Sequence, residues 1–496
     1  MLRALCLLTF TANAATLSIS APDWTRIEVH GPGGKLHQPS GALRDTTARA
    51  RTGLPFYPQS FICKSCSLDL PAGQYRIVAE RGPEFERIER AVTLTDAQPL
   101  TVTLSPKRWI NMREQGWYSG DFHVHRPLDD LATLAEAEDL NLTVAFTMWN
   151  RRNLWQDRPI PADPVTQTAP HRLLSLMNAE DERGGGAWML HNIPQPIDLA
   201  FMLQEGKPQT ESWFPAGLRF IRQIREWRKK DAIFPWFDCE KPIWWEVPVV
   251  MALDPPDSFG LLHNHFNQYG ILDMEAWGRP RDQRLFPGNA GHAEYTMGLY
   301  YRYLNLGFRI PPSAGSASGV LPNPVGYNRI YARIESDFTI EKFYAALRDH
   351  RHFVTNGPML FLSRDSVEVR SRDPIDRIEV IANGRIVQSF RAPANSLYLR
   401  RAFSVDARRH SWYAVRAFIH NANTVRLAHS APVYLPGRWD ASEDARYFID
   451  WIDQLVANIT DTRVPDPAQR DELLSYYRMA REFYATNQRE RIIFGR

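Results

Sequence analysis

A chain of 496 residues is longer than one hydrophobic core fills, since single cores stop growing near ~250–300 residues, so more than one domain is expected. Its 44% hydrophobic and 23% charged residues are those of an ordinary globular protein. The formal charge of +3, without any Lys/Arg run, excludes the basic stripe of a nucleic-acid-binding protein.

At the N-terminus Arg3 precedes the apolar run Ala4-Leu5-Cys6-Leu7-Leu8-Thr9-Phe10 and the small-residue pattern Ala12-Asn13-Ala14. That layout predicts an export signal, residues 1–14, cleaved after Ala14, with the mature protein secreted or periplasmic. The run is far short of the ~20 apolar residues of a membrane span, and a buried first strand is the alternative. Residues 15–107 read as an N-terminal β-sandwich, with strand-like runs such as Gln74-Tyr75-Arg76-Ile77-Val78-Ala79 and Leu100-Thr101-Val102-Thr103-Leu104 between Gly/Pro turns. The segment Leu70-Pro71-Ala72-Gly73-Gln74-Tyr75 resembles the turn and strand of small carboxypeptidase-regulatory-like sandwiches. Cys63-Lys64-Ser65-Cys66 has CxxC spacing but no second pair to complete a four-cysteine zinc site. A local disulfide and two free thiols both remain open there, and Cys239 stands alone.

The pattern changes over 108–362, where apolar runs alternate with helical stretches and polar residues gather where the runs stop. The first run contains Gly120-Asp121-Phe122-His123-Val124-His125. Residues two apart on a strand share a face, so His123 and His125 project together, and neutral imidazole is the commonest metal ligand. Two histidines hydrogen-bonded in a core are the alternative. A short helix at 130–139 leads to a strand at 142–146 that ends in Thr147-Met148-Trp149-Asn150. The next run ends in Asn178-Ala179-Glu180-Asp181-Glu182. A helix near 218–229 precedes Ala232-Ile233-Phe234-Pro235-Trp236-Phe237, which ends in Asp238-Cys239-Glu240-Lys241. Phe259-Gly260-Leu261-Leu262 then ends in His263-Asn264-His265. Strand-then-helix repeats over about 255 residues predict a closed (β/α) barrel. Sites in such barrels lie at the strand C-termini, which would bring His123, His125, Glu180, Asp238, Glu240, Lys241, His263 and His265 to one rim. An ion-pair network for Asp238, Glu240 and Lys241, and loop anchoring for His263 and His265, are the alternatives. Trp149, Trp244, Trp245 and Trp277 near that rim read as core packing or as a platform for an aromatic or sugar substrate.

Residues 363–437 return to strands, with an Asn383-Gly384 hairpin turn, and read as a second β-sandwich. Residues 438–496 are helical. Phe448, Trp451, Ile452, Leu455 and Ile459 follow helical spacing, Asp466-Pro467 supplies an N-cap and N1 proline, and a second apolar stripe follows. A C-terminal helical hairpin packed on the body is expected.

Gly120-Asp121-Phe122-His123-Val124-His125, Ala137-Glu138-Asp139-Leu140 and the strand leading to Asn150 resemble the PHP (polymerase and histidinol phosphatase) superfamily of metallohydrolases, in particular its carbaryl-hydrolase-like branch of exported proteins. So do Asp238 to Trp245, Glu275-Ala276-Trp277-Gly278-Arg279-Pro280, Gly315-Ser316 with Asn323-Pro324-Val325-Gly326-Tyr327, and Phe353-Val354-Thr355-Asn356-Gly357-Pro358. The resemblance spans roughly 108–362. It implies a distorted PHP-type barrel, a site of one to three metals, and hydrolysis of phosphoesters, esters or amides. By position it makes His123 and His125 paired ligands and Glu180 a metal carboxylate, with Asp130 near a further acidic position. The chain departs from the pattern at Thr147-Met148-Trp149-Asn150, where the family has Thr-Asp-His-Asn. It departs again at Gly315-Ser316-Ala317-Ser318-Gly319, where the family has Gly-Ser-Asp-x-His, and at Lys241-Pro242, which replaces His-Pro. A complete multinuclear cluster is therefore not expected, and one zinc-type ion held by His123, His125, Glu180, His263 or His265 is (manganese and iron being alternatives).

The sequence thus points to a multidomain α/β protein and an exported metal-dependent hydrolase acting on a phosphoester, ester, amide or carbamate of a small molecule or glycan. Asp238 or Glu240 would be general acid or base, and Lys241 would stabilise negative charge. The competing expectation is a non-catalytic protein that holds a glycan or small ligand on a degenerate site.

Overall fold

The computed structural model describes residues 14–44, 60–199, 216–230, 234–276 and 278–486. The expected leader up to Asn13, residues 232–233 and Trp277 lie outside the described residues.

The N-terminal sheet is built on one long strand, Ala15–His30. Its odd positions Ala15, Leu17, Ile19, Ile27 and Val29 are all buried, the period-two pattern of a strand with one face in a core. The first half pairs antiparallel with Phe61–Leu70 and parallel with Leu100–Thr103. A register shift between Ser20 and Thr25 then lets the second half pair with Gly73–Glu80 as well. Cys63 and Cys66 form a disulfide within the Phe61–Leu70 strand, and Cys239 is free and buried.

Residues 108–362 correct the expected fold. Among the described residues they form no closed barrel, and strands (36% of the described residues) outweigh helices (24%). Most of their strands divide between two mixed sheets, while Phe266–Asn267 and Gly270–Ile271 pair only with each other. One runs Val165–Ala169, Arg172–Ser175, Leu142–Ala145, Trp117–Val124, Arg329–Arg333, His352–Thr355. The other runs Arg152–Asn153, Met148–Trp149, Ala179–Arg183, Gly186–His191, Trp236–Cys239, Ser258–Leu262, Pro312–Ala314. Ala179–Arg183 and Gly186–His191 are antiparallel because only Gly184 and Gly185 join them, and a two-residue loop makes a hairpin. Gly186–His191 is also antiparallel to Trp236–Cys239, and Trp117–Val124 to Arg329–Arg333. A (β/α) barrel needs parallel neighbours throughout.

The two sheets nevertheless meet at the His123 end of Trp117–Val124. The chain runs from Leu142–Ala145 in one sheet directly into Met148–Trp149 in the other. The His125 amide donates to the Ser318 carbonyl at 2.8 Å, and the Gly315 amide to the Leu262 carbonyl at 3.1 Å. Strand ends from both sheets are thus held at one corner.

Nor is 363–437 a separate sandwich. Arg426–Ser430 pairs with His352–Thr355, so Trp412–Ile419, Ile375–Ala382 and Arg385–Arg391 extend the first sheet. An unpaired edge at His352–Thr355 would be a liability, and the later strands cover it. Met359–Leu362, Ser366–Arg370 and Tyr398–Ala402 form a small sheet over the core of Met359, Val367, Ile378, Val380 and Val415. Two helices follow, Ser442–Asn458 and Pro467–Thr486. The Asp466 carboxylate accepts from the amides of Ala468 (2.8 Å) and Gln469 (3.2 Å), capping the second. Among the described residues no helix is long and apolar enough to cross a membrane.

Candidate metal centre

His123 lies in the Trp117–Val124 strand and His125 one residue beyond it. Asp121, two residues before His123 and fully buried, accepts the amides of His123 (3.0 Å), Ser316 (3.0 Å) and Gly326 (2.7 Å). It ties the histidine strand to the loop that closes the corner. Sequence reasoning named this aspartate only as part of a motif; its place in the alternation with His123 was the available signal.

The imidazoles do project together. Nε2 of His123 and Nε2 of His125 are 2.9 Å apart. Glu180, from Ala179–Arg183 of the other sheet, places Oε1 3.4 Å from His123 Nε2 and Oε2 2.8 Å from His125 Nε2. Ligand atoms ~2.0–2.1 Å from a tetrahedral ion sit about 3.3 Å apart, close to this spacing. On the far side of His123, Nδ1 lies 3.5 Å from Glu240 Oε1. Yet His123 Nδ1 and Glu240 Oε1 are both buried without a hydrogen-bond partner. Buried polar atoms are almost always paired. A converging set with such atoms left unpaired fits a cation among its members.

The field agrees. Burial pulls the His123 imidazole down, but the Glu180 and Glu240 carboxylates outweigh it and hold it up at about 9. Burial also presses Glu180 upward, and His123 and His125 override that and hold it well below the usual carboxylate range. Burial lowers His125. Half-buried Glu182 is raised by burial and by the charges of Glu180 and Glu240. A pocket that draws a proton onto imidazole this strongly favours a divalent ion in its place. Lys241 supplies one compensating charge, with Nζ 2.9 Å from Glu240 Oε2 and 4.7 Å from the centre of the Trp244 ring. Asp238 sits below the cluster. Its Oδ1 accepts from the hydroxyls of Ser258 and Ser313, its Oδ2 has no partner, and burial pushes it up to about 7.

His263 and His265 do not join this group. Together with His292, from the Gly288–Asn305 helix, they form a second buried set, each with a ring nitrogen within 4.8 Å of the others'. The single-rim expectation fails because His263 and His265 follow Ser258–Leu262, three strands along the second sheet from Ala179–Arg183. His292 is missed by sequence reasoning, being one histidine in a helix whose buried face is otherwise mostly tyrosine and aliphatic. Asp130, half-buried before the Leu131–Ala137 helix, belongs to neither set. Of the tryptophans, Trp149 is half-buried with its ring 4.7 Å from that of His125, Trp244 is fully buried, and Trp245 packs against Trp451 of the C-terminal helices.

What the first cluster offers chemically is a cation site of two imidazoles and one carboxylate, backed by a second carboxylate, with a half-buried side at His125, Trp149 and Glu182. The two clusters are where a metal ion fits among the described residues. Comparison with known protein families and with curated proteins finds no match to this chain.

Proposed function

We propose that this is an exported, metal-dependent hydrolase related to the PHP metallohydrolases by its site motif, cleaving phosphoester, ester or amide-type bonds of a small molecule. The observation that carries the reading is the convergence of His123, His125 and Glu180, whose facing atoms lie 2.8–3.4 Å apart, with buried acceptors left unpaired around them. Zinc suits such a donor set best, with manganese or iron as alternatives. An ion bound there would supply an acidified water and a Lewis acid. Glu240, beside Nδ1 of His123, orients that ring in the manner of carboxylates behind metal-bound histidines. Lys241 balances Glu240 and stabilises negative charge that develops on substrate. Asp238 takes or gives a proton, and Trp149 flanks His125, its ring 4.7 Å away. Export is supported by the Cys63–Cys66 disulfide, since such bonds persist in oxidising compartments.

The test is metal content beside hydrolysis of aryl phosphate, ester and carbamate substrates. Wild-type protein should bind zinc and turn over at least one class; His123→Ala and Glu180→Gln should lose turnover and the ion held at this site while circular dichroism is unchanged. Wild-type protein that takes up no Zn, Mn or Fe would sink the reading. Full metal without turnover would favour the ligand-binding alternative, which the half-buried Trp149 ring beside His125 supports.

A further inference from the structure

The His263–His265–His292 cluster lies outside the centre assigned above and has its own internal logic. Its three rings are 5.2–5.6 Å apart, centre to centre, and all are buried. One of them is held on one nitrogen by an oxygen acceptor. His265 Nδ1 lies 3.0 Å from the Met274 carbonyl; a carbonyl only accepts, so Nδ1 carries the proton and Nε2 the lone pair. His292 Nδ1 faces Glu275 Oε1 at 3.8 Å, and Glu275 is itself anchored by Arg281. His263 Nε2 lies 3.4 Å from the Thr296 hydroxyl, four residues along the helix from His292, and its Nδ1 receives the His265 amide at 3.3 Å. The Met274 carbonyl behind His265 and the Glu275 carboxylate behind His292 are the kind of supports that orient metal-binding histidines; His263 has neither.

The second observation is that His292 is 0% exposed and its Nε2 makes no hydrogen bond. If packing alone were required, an apolar ring would serve without leaving a buried nitrogen unpaired. The elements involved are a loop, His263 to Glu275, and the Gly288–Asn305 helix; among the described residues the loop holds only the two-residue strands Phe266–Asn267 and Gly270–Ile271.

We infer that His263, His265 and His292 bind one divalent ion of the zinc class, a second site independent of His123, His125 and Glu180, which fastens the loop after the Ser258–Leu262 strand to the Gly288–Asn305 helix. Three imidazoles and no directly facing carboxylate select zinc, copper or nickel over magnesium and calcium, which take oxygen.

Zinc alone is the probe. Protein stripped by chelator is re-equilibrated with zinc and desalted, and bound zinc per chain is counted by elemental analysis. Wild type should hold two ions, and His292→Phe, which keeps an aromatic ring but no nitrogen, should hold one. Glu180→Gln should also hold one, and the double variant none. Cobalt in the Glu180→Gln protein should give the visible absorption of a low-coordinate nitrogen site, abolished by adding His265→Ala. Should His292→Phe fail to fold, the Glu180→Gln protein with and without His265→Ala decides the matter alone. One zinc in wild type that survives His292→Phe and is lost in Glu180→Gln overturns this inference and leaves the hydrolase reading standing. One zinc lost in His292→Phe but kept in Glu180→Gln upholds the inference and removes the metal from the proposed catalytic centre.

Discussion

At Lys241 one buried ammonium is paired with a buried carboxylate. Its Nζ is 2.9 Å from Glu240 Oε2, while Glu180 and Asp238 are buried nearby and Glu182 is half-buried. Removing one partner of a buried ion pair costs about 3–5 kcal/mol, because the remaining charge is left uncompensated. A divalent ion at His123, His125 and Glu180 would supply part of that compensation. Lys241→Met is therefore expected to be strongly destabilised when stripped of metal and much less so when loaded, while metal content itself stays near wild type, since a charged ammonium is no ligand. Turnover should fall by about 10²-fold, the scale of a lost charge-stabilising group. The check is thermal unfolding with and without zinc beside elemental analysis. An equal loss of stability in both forms would contradict the placement of the ion.

Among the elements, close approach at two glycines sets the site. Gly315 follows the Pro312–Ala314 strand, and a β-carbon there would overlap that of His123; one at Gly260 would overlap the Glu240 carbonyl. Both are steric demands with no flexible side chain to yield. Gly315→Ala should thus push the His123 strand from its place and weaken metal binding by about 10–100-fold, the scale seen when supports behind ligands are altered, with circular dichroism little changed. Zinc titration checks it, and unaltered affinity would show that the corner tolerates movement. These contacts also mark what was legible in the sequence. Period-two spacing placed His123 and His125 on one face, and the polar residues after each run drew attention to Glu180, Glu240 and Lys241. Strand direction was not legible: an apolar run ending in polar residues looks the same before a helix as before the Gly184-Gly185 turn, and the wrong choice turned two mixed sheets into a barrel. Nor was His292, because a helix brings it to His263 and His265 from a separate stretch of chain with no shared periodicity.

Across the whole molecule, the C-terminal helices are held on the body by buried contacts that include the carboxyl of Glu246. Tyr477, from the Pro467–Thr486 helix, donates its hydroxyl to Glu246 Oε1 at 2.9 Å, just before the Val247–Leu253 helix, and Tyr484 donates to the Pro248 carbonyl at 2.8 Å. Glu246 is 2% exposed. Burial pushes its carboxyl up to about 7, although the Tyr477 hydroxyl and the Arg183 charge pull the other way. A carboxyl raised on folding binds its proton more tightly in the folded state than in the unfolded one, where its ordinary value is 4.5. Its contribution is fully present below pH ~4.5 and is lost as the pH climbs through about 7, amounting by linkage to on the order of 3 kcal/mol. This carboxyl should therefore lower the urea midpoint at pH 8 relative to pH 5.5, while His191, His352 and His429, held neutral by burial, act in the opposite direction. Asp238, raised by burial to about 7, acts in the same direction as Glu246, so the wild-type slope alone does not isolate Glu246. Glu246→Gln does, since an amide keeps the shape and still accepts from Tyr477 but cannot ionise. It should remove part of the loss above pH 6 and leave the Asp238 part, whereas Tyr477→Phe should keep the pH dependence and lower stability throughout. A Glu246→Gln protein with the full wild-type difference between pH 5.5 and pH 8 would show that this carboxyl does not govern how the helices are held.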